Sequence, residues 1–407
     1  MKVWTHLWVF LLSFIGQALS LYFITVSTSK LPDELVGQWA IIDGYVYFFM
    51  AFLSFGLQLR VSRDVAFGNK GIRSFLDAQK ARITLSIMAL CFAVIYILFS
   101  GFSVQKMVYV LLPLVALNGD YVLYGLGKPI LATAFSVLRA LLPAAGIYLM
   151  YLEILPENHI VYLFAFMIAF GLAGTITSFV TKTRYISLPS INSLILYREN
   201  INLGLYQTMT PFMISGIFII AAPLYSLPYL ALLYPMFKWV EMFKGGLKLY
   251  NQTNYPQFTN PKNAALFDRI ALLGTGTLVI LLLIAAPVII SHFDISLTSS
   301  EVLNVKLLLL WLLTMSFKAT TEIQMVFQKK ERKLAVYYFS GVLVAIAALI
   351  LLRFTQWNTF GIPASLFIGE VFLLVSLGYQ TESWAYFKRR RLSLIIYSLV
   401  LLLLYLA

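Results

Sequence analysis

Apolar stretches of about 20 residues recur along the whole sequence, and each is long enough to cross a hydrocarbon core of roughly 30 Å as an α-helix. Because a bilayer offers no water to the backbone, such stretches cross it as helices. We therefore predict an all-α polytopic membrane protein. The sequence accommodates twelve spans, at residues 3–26, 37–59, 83–101, 105–126, 129–151, 160–181, 200–222, 229–249, 269–291, 303–325, 334–352 and 360–380.

The apolar tail at 392–407 is shorter than these spans. We predict a short thirteenth transmembrane helix there, and a helix packed at the membrane edge is the alternative.

The composition fits this class, since 60% of the residues are hydrophobic and 12% are charged. The single Cys91 excludes disulfides within the chain and multi-cysteine metal sites, and its place in the third predicted span favours a packing role. Zinc-protease, Walker A and nucleophile-elbow motifs do not occur. We therefore predict no catalytic residues, no metal site and no cofactor, and we leave open coupling to a proton or sodium gradient.

Basic residues in the predicted connections fix an orientation. With the N-terminus in the cytoplasm, the cytoplasmic side receives 21 Lys and Arg residues, including all six between Arg60 and Arg82, and the other side receives three. The positive-inside rule selects this topology. The net charge of +13 is therefore expected to serve orientation and contact with anionic lipid, and nucleic acid is not an expected partner.

The longest polar connection between early and late spans is the cytoplasmic linker 182–199, which divides the predicted helices six and six. We predict an N-terminal lobe at 1–181, a C-terminal lobe at 200–380, and a basic loop with an apolar helix at 381–407. Two lobes around a cleft are typical of transporters built from repeats. Pro211 is predicted to kink the seventh span, either as part of a gate or as a static feature.

Six cations fall inside predicted spans, where each costs about 2.5–3.5 kcal/mol on insertion scales. Such residues usually face a cavity, a partner or a passing anion. Lys306 is expected to snorkel to the boundary, and Lys248 fits either interpretation. The six are Arg139, Lys238, Lys244, Lys248, Lys306 and Lys318.

The spacing of these cations separates them further. Lys238, Lys244 and Lys248 share one face of the eighth span with Glu241, which can pair with Lys238 or Lys244. An anion is the natural partner for the remaining positive charge on that face.

Lys318 lies four residues before Glu322, the spacing of an intrahelical ion pair. Arg139 has no acid three or four residues away, so its partner must come from elsewhere. The candidates are Asp120, Asp43, Glu370, water or substrate.

Three further acids lie in the predicted spans: Asp43, Asp120 and Glu370. A buried carboxyl group can carry a proton or sodium ion, or it can neutralise a buried cation. Asp43 and Glu370 fit both roles and are the coupling-ion candidates, whereas a structural role is favoured for Asp120.

Two segments resemble Wzx-type polysaccharide flippases of the MOP superfamily, the transporters of O-antigen and other lipid-linked oligosaccharides. In the first, at 31–69, the second helix ends in Phe-Gly-Leu before a Ser-Arg pair. In the second, a Gly turn and a Lys lead into a helix that bears an Arg. The matching positions are Gly37, Trp39, Phe55, Gly56, Leu57, Ser62, Arg63, Gly125, Gly127, Lys128 and Arg139.

The resemblance implies two six-helix lobes in a V and a cationic lumen. By alternating access, this lumen would move an undecaprenyl-diphosphate-linked oligosaccharide from the cytoplasmic to the periplasmic leaflet. The odd thirteenth segment departs from relatives with 12 or 14 helices.

This interpretation implies a bacterial inner-membrane protein of polysaccharide and lipopolysaccharide biosynthesis, with other polysaccharide-assembly membrane proteins as potential partners. The predicted substrate-binding cations are Lys238, Lys244, Arg139 and Lys318, with Arg60 and Arg63 capturing the headgroup at the cytoplasmic entrance.

Two other functions stay open. A cation-coupled multidrug exporter of the same superfamily would prefer an acidic cavity. A membrane glycosyltransferase or polymerase is less expected, because such enzymes need larger loops than the sequence provides.

Overall fold

The computed structural model describes residues 3–66, 71–183, 187–254, 273–277, 279–280, 298–327 and 330–380. Across these ranges the regular elements are all helical. Most of the ninth predicted span, the basic loop and the apolar tail at 392–407 lie outside the described residues.

The described part of the N-terminal half contains eleven α-helices, and some predicted spans are divided between two of them. They are α1 (Val3–Thr28), α2 (Asp33–Ser54), α3 (Leu57–Ala66), α4 (Gly71–Ser100), α5 (Leu111–Leu117), α6 (Asp120–Gly125), α7 (Pro129–Tyr151), α8 (His159–Thr181), α9 (Ile195–Glu199), α10 (Ile201–Met209) and α11 (Ile217–Ala221).

The described C-terminal helices are longer and less interrupted. They are α12 (Leu227–Asn254), α13 (Ser299–Phe327), α14 (Glu331–Arg353) and α15 (Gly361–Gln380), and residues 273–277 and 279–280 are also helical. Short 3₁₀ turns occupy Val104–Val110, Ile191–Leu194, Thr210–Met213 and Asn358–Phe360.

Three predicted spans are broken rather than continuous. The second ends where Phe55 and Gly56 adopt positive φ angles of 36° and 81° before α3 begins. The seventh is interrupted at Pro211, which opens a 3₁₀ turn between α10 and α11, so the predicted distortion there is confirmed. A proline lacks the N–H group that would continue the ladder.

The fourth predicted span is the most fragmented. A 3₁₀ turn leads into α5, the backbone of Asn118 is extended, and α6 starts after Gly119. The expectation of one continuous helix at 105–126 is therefore wrong. Asn, Gly and Asp in succession favour local hydrogen bonds and turns over an uninterrupted helix.

The described chain divides into two compact units. The first comprises Met1–Ala222 and Ser226–Pro235, and the second comprises Pro223–Tyr225 and Met236–Ala407. In the first, Gly16 lets α1 approach α7 closely, since a Cβ atom there would lie 2.1 Å from Val137 Cγ1. In the second, Gly341 of α14 does the same against Leu373 of α15. The predicted lobe boundaries stay predictions.

Eight described segments are long and apolar enough to cross a membrane. Helices α12 and α13 have 28 and 29 residues and carry most of the charges inside the predicted spans. Because these segments are apolar and helical, the chain is a multi-pass membrane protein.

Candidate functional site

Arg139 lies on α7 beside the break in the fourth span. Its Nη1 group donates to Asn118 Oδ1 at 2.7 Å and lies 2.6 Å from Asp120 Oδ2. Asp120 is therefore the acid that sequence spacing could not identify among several candidates. Because the residues before and after Gly119 both reach Arg139, the break itself forms this ion-pair site.

The rest of the Arg139 guanidinium makes no hydrogen bond or ion pair with the described residues. Its Nε and Nη2 groups have no protein partner there, and the side chain remains 16% exposed. The Nε–H bond and one Nη2–H bond lie on the same edge of the planar guanidinium and are parallel. This edge matches two oxygens of a phosphate or carboxylate.

Arg82 is a buried cation within a helix, so the predicted loop at this position is wrong. Helix α4 begins at Gly71, not near residue 83, so Arg82 lies inside it and is 1% exposed. Its Nη1 donates to Asn118 O at 2.5 Å and its Nη2 to Val115 O at 3.0 Å. The Arg82 guanidinium also lies 5.3 Å from the Tyr121 ring centroid.

The sequence carries a signal for Arg82 that hydropathy ignores. A break at Asn118 and Gly119 leaves helix-end carbonyls that need donors inside the membrane. An Arg just before a long apolar run can supply them.

Asp43 is 1% exposed on α2 and accepts hydrogen bonds from two tyrosines of the first unit. Tyr162 donates to Oδ1, Tyr234 donates to Oδ2 at 2.9 Å, and the two hydroxyls lie 2.8 Å apart. Both carboxylate oxygens are thus engaged by hydroxyl groups. Its role as a coupling-ion site stays a prediction.

Lys318 of α13 is the centre of an ionic network in the second unit. Its Nζ donates to Tyr338 Oη at 2.6 Å and lies 2.9 Å from Glu322 Oε1, the predicted intrahelical partner. Glu370 Oε1 of α15 lies 2.8 Å from the same nitrogen. Three oxygens therefore crowd one ammonium group, and an anionic ligand would have to displace one of them.

Glu370 is 0% exposed on α15. Its charged partner is Lys318, whose Nζ lies 2.8 Å from Glu370 Oε1. Burying a carboxylate costs free energy unless a nearby cation compensates its charge, and Lys318 does so here.

The charged face of α12 joins this network. Lys238 Nζ lies 2.8 Å from Glu241 Oε2, one of the two predicted pairings. Lys244 interacts electrostatically with Glu370, Lys318, Glu322 and Glu241. The described network thus contains three lysines and three glutamates, whose formal charges cancel.

The other cations singled out by the sequence are Arg60, Arg63, Lys248 and Lys306. Arg60 of α3 forms an ion pair with Glu199 at 2.9 Å, and Glu199 is 48% exposed. The side chains of Arg63 and Lys248 lie outside the described residues. Lys306 is half-buried on α13.

The structure therefore gathers Lys318, Lys244 and Glu370 in the second unit, and it places Arg139 and Asp43 in separate clusters of the first. Among the described side chains, no group of three or more His, Cys, Asp or Glu residues could hold a metal ion.

No protein-family model matches the chain, and no curated protein matches its sequence. Solved transporter structures do match its fold. Lipid II flippase MurJ in an inward closed conformation is 14% identical with a TM-score of 0.65, and the match covers 97% of this chain and 96% of that chain. The MATE multidrug transporter DinF-BH, solved as a complex, is 15% identical with a TM-score of 0.63, over 91% and 94% of the two chains.

A MOP superfamily transporter from Pyrococcus furiosus, whose binding pocket is described as having reverse polarity, is 12% identical with a TM-score of 0.54, over 96% of this chain and 94% of that chain. At these identities the likeness establishes the fold. The chain shares its fold with these transporters.

Proposed function

We propose that this protein is a flippase that moves an undecaprenyl-diphosphate-linked oligosaccharide from the cytoplasmic to the periplasmic leaflet of a bacterial inner membrane. It acts by alternating access, with its N-terminus in the cytoplasm. The observation that carries the proposal is the geometry of Arg139, whose Nη1 is anchored while its Nε and Nη2 edge is not.

A lipid diphosphate is an apt ligand for that edge. Its oxygens are negatively charged, and a guanidinium can replace their hydration through two parallel charge-assisted hydrogen bonds. Each hydrogen bond to a charged group contributes about 1.5–3 kcal/mol. Asn118 and Asp120 hold Arg139 in place, so little rotamer freedom is lost when the ligand binds.

The lysines of the second unit act at a later step. Lys318 is already crowded by three oxygens, so it binds a phosphate only after a carboxylate releases it. Protonation of Glu370 removes one of the opposing charges and frees the ammonium group. We therefore place coupling to a proton gradient at Glu370, with Lys244 and Lys238 as further phosphate contacts.

A cation-coupled multidrug exporter is the competing proposal. It is favoured by the equal numbers of lysines and glutamates in the described part of the second unit, where a lipophilic cation could replace a lysine as partner of Glu370. DinF-BH, which shares the fold, is a MATE multidrug transporter. The two proposals differ in the sign of the cargo.

Reconstitution into liposomes separates the two. The protein would be tested with a fluorescent lipid-diphosphate oligosaccharide, whose arrival in the other leaflet is read by a membrane-impermeant quencher, and with efflux of a cationic rhodamine dye. We expect translocation of the lipid-linked glycan, and Arg139→Ala should reduce it at least about tenfold. Lys128→Gln, which removes an exposed cation just before α7, is the matched control and should transport like the parent.

Transport of the cationic dye without translocation of the glycan would establish the exporter instead. Equal translocation by Arg139→Ala and the parent would refute the proposed site while leaving the flippase activity intact.

A further inference from the structure

Arg82 and Arg139 both donate hydrogen bonds to one residue, Asn118. Arg82 Nη1 donates to the backbone oxygen of Asn118, and Arg139 Nη1 donates to its side-chain oxygen. We propose that Arg82 is a positioning residue that sets the orientation of Arg139 through Asn118. The inference rests on the proposed function, because it concerns the same phosphate-binding edge.

Arg82 binds at the break in the fourth span. Helix α5 ends at Leu117, and the extended backbone of Asn118 leaves carbonyl groups without the partners of a continuous helix. Val115 O accepts the Asn118 N–H at a long 3.2 Å and also accepts from Arg82 Nη2. The Asn118 carbonyl accepts from Arg82 Nη1. At a helix C-terminus, a cation also interacts favourably with the aligned backbone dipoles.

Arg82 is buried and bound on several sides. The residue is 1% exposed, so water does not substitute for its hydrogen bonds. Its two Nη groups reach carbonyls three residues apart, and its planar group lies over the Tyr121 ring. A lysine supplies a compact point charge without the planar fork, so it cannot reproduce this bridge and stacking together.

The backbone at the break has little room to move. A Cβ atom on Gly119 would lie 3.0 Å from Phe75 Cζ and 3.0 Å from Thr177 Cγ2, so the backbone there is closely packed. With its main chain held by Arg82, Asn118 has little freedom to move its amide oxygen. Arg139 is thereby held through Nη1 on one side, which directs the Nε and Nη2 edge away from the break.

A double-mutant cycle tests this linkage. Farnesyl diphosphate is the probe, and its Kd for the purified protein would be measured by titration calorimetry for Arg82→Lys, Asn118→Ala and the double variant. We expect each single variant to weaken binding about tenfold and the double variant to bind no more weakly than either. Thermal unfolding, measured in parallel, separates binding from stability.

Asn118→Ala keeps the backbone oxygens that Arg82 binds, so it should lose affinity and remain folded. If Arg82→Lys does not fold, Arg82→Gln, whose amide retains a donor for one carbonyl, replaces it in the cycle.

The outcomes are distinct. A double variant about a hundredfold weaker than the parent would mean independent effects and would overturn the positioning role. Unchanged affinity in Arg82→Lys, with or without a lower melting temperature, would overturn it as well. Parent-like binding by Arg139→Ala would instead refute the phosphate site itself, whereas only a failure to translocate the lipid-linked glycan would refute the proposed function.

Discussion

The two units handle buried positive charge in different ways. In the first, Arg139 forms its hydrogen bond and its ion pair through one nitrogen beside a broken helix, and the other edge of its guanidinium forms neither with the described residues. In the second, Lys318 sits on a continuous helix and meets three oxygens within 3 Å. Arg139 can therefore donate hydrogen bonds to a ligand, whereas Lys318 can do so only after one of its carboxylate partners moves away.

This difference follows from the side chains. A guanidinium has five N–H groups in a fixed plane and stays charged, so part of it can be anchored while part binds a ligand. An ammonium group is a compact charge whose three donors rotate together. The comparison teaches that a buried cation identified by sequence is a ligand candidate only when its donors are not already used.

The largest expected effect is on the stability of the second unit. Lys318→Met leaves Glu322 and Glu370 facing each other without their shared cation, and loss of one member of a buried ion pair costs about 3–5 kcal/mol. Denaturant unfolding followed by tryptophan fluorescence should show that loss. Adding Glu370→Gln should recover part of it, because one of the opposed charges is removed. Equal instability of the single and double variants would contradict the network.

The second effect concerns the edge of Arg139. Arg139→Lys keeps the positive charge beside Asp120 but loses the parallel Nε and Nη2 donors. We expect a folded protein that transports the lipid-diphosphate oligosaccharide about tenfold to a hundredfold more slowly, since each charged hydrogen bond contributes about 1.5–3 kcal/mol. Initial rates in proteoliposomes measure this. Full activity in the lysine variant would show that charge alone suffices.

The third effect compares the two coupling-ion candidates. Glu370→Gln should abolish the dependence of transport on a proton gradient, because the group that takes up the proton is gone. Asp43→Asn should retain that dependence and lower stability by about 1–3 kcal/mol, because its two tyrosine donors lose a charged acceptor. Transport rates with imposed proton or sodium gradients decide between them. Gradient dependence lost only in Asp43→Asn would move the coupling site to the first unit.

The smallest effect is expected at Arg60. Its ion pair with the exposed Glu199 is worth only about 0–1 kcal/mol, so Arg60→Gln should unfold like the parent. If Arg60 captures the headgroup, transport at low substrate should fall about fivefold, since one cation near an anionic surface contributes about 1 kcal/mol. Arg60→Lys, which keeps the charge, is the control. Equal rates in all three proteins would remove Arg60 from the site.

Much of the fold could be predicted because hydropathy reports directly on membrane helices. The sequence predicts the fifth span at 129–151, and α7 runs from Pro129 to Tyr151. The ion pair of Lys318 with Glu322 follows from helical spacing. These features depend on neighbours within one helix, which a sequence displays.

The contacts that define the sites join different helices. Residue spacing within one helix therefore cannot predict them. Nothing in local spacing pairs Lys318 with Glu370, or selects Asp120 over the other acids for Arg139. Hydropathy misplaces Arg82 because it ends a span at the first charge, although α4 continues through that residue. The partners of Arg82 are backbone carbonyls at a helix break, and in the sequence only Asn118 and Gly119 indicate that break.

The central claim is that the Nε and Nη2 edge of Arg139 binds a phosphate group, and ligand affinity tests it most directly. Farnesyl diphosphate and uncharged farnesol would be titrated into the parent protein, Arg139→Gln and the control Lys128→Gln. We predict that the parent and the control prefer the diphosphate by at least about tenfold and that Arg139→Gln loses this preference. An unchanged preference in Arg139→Gln would contradict the account.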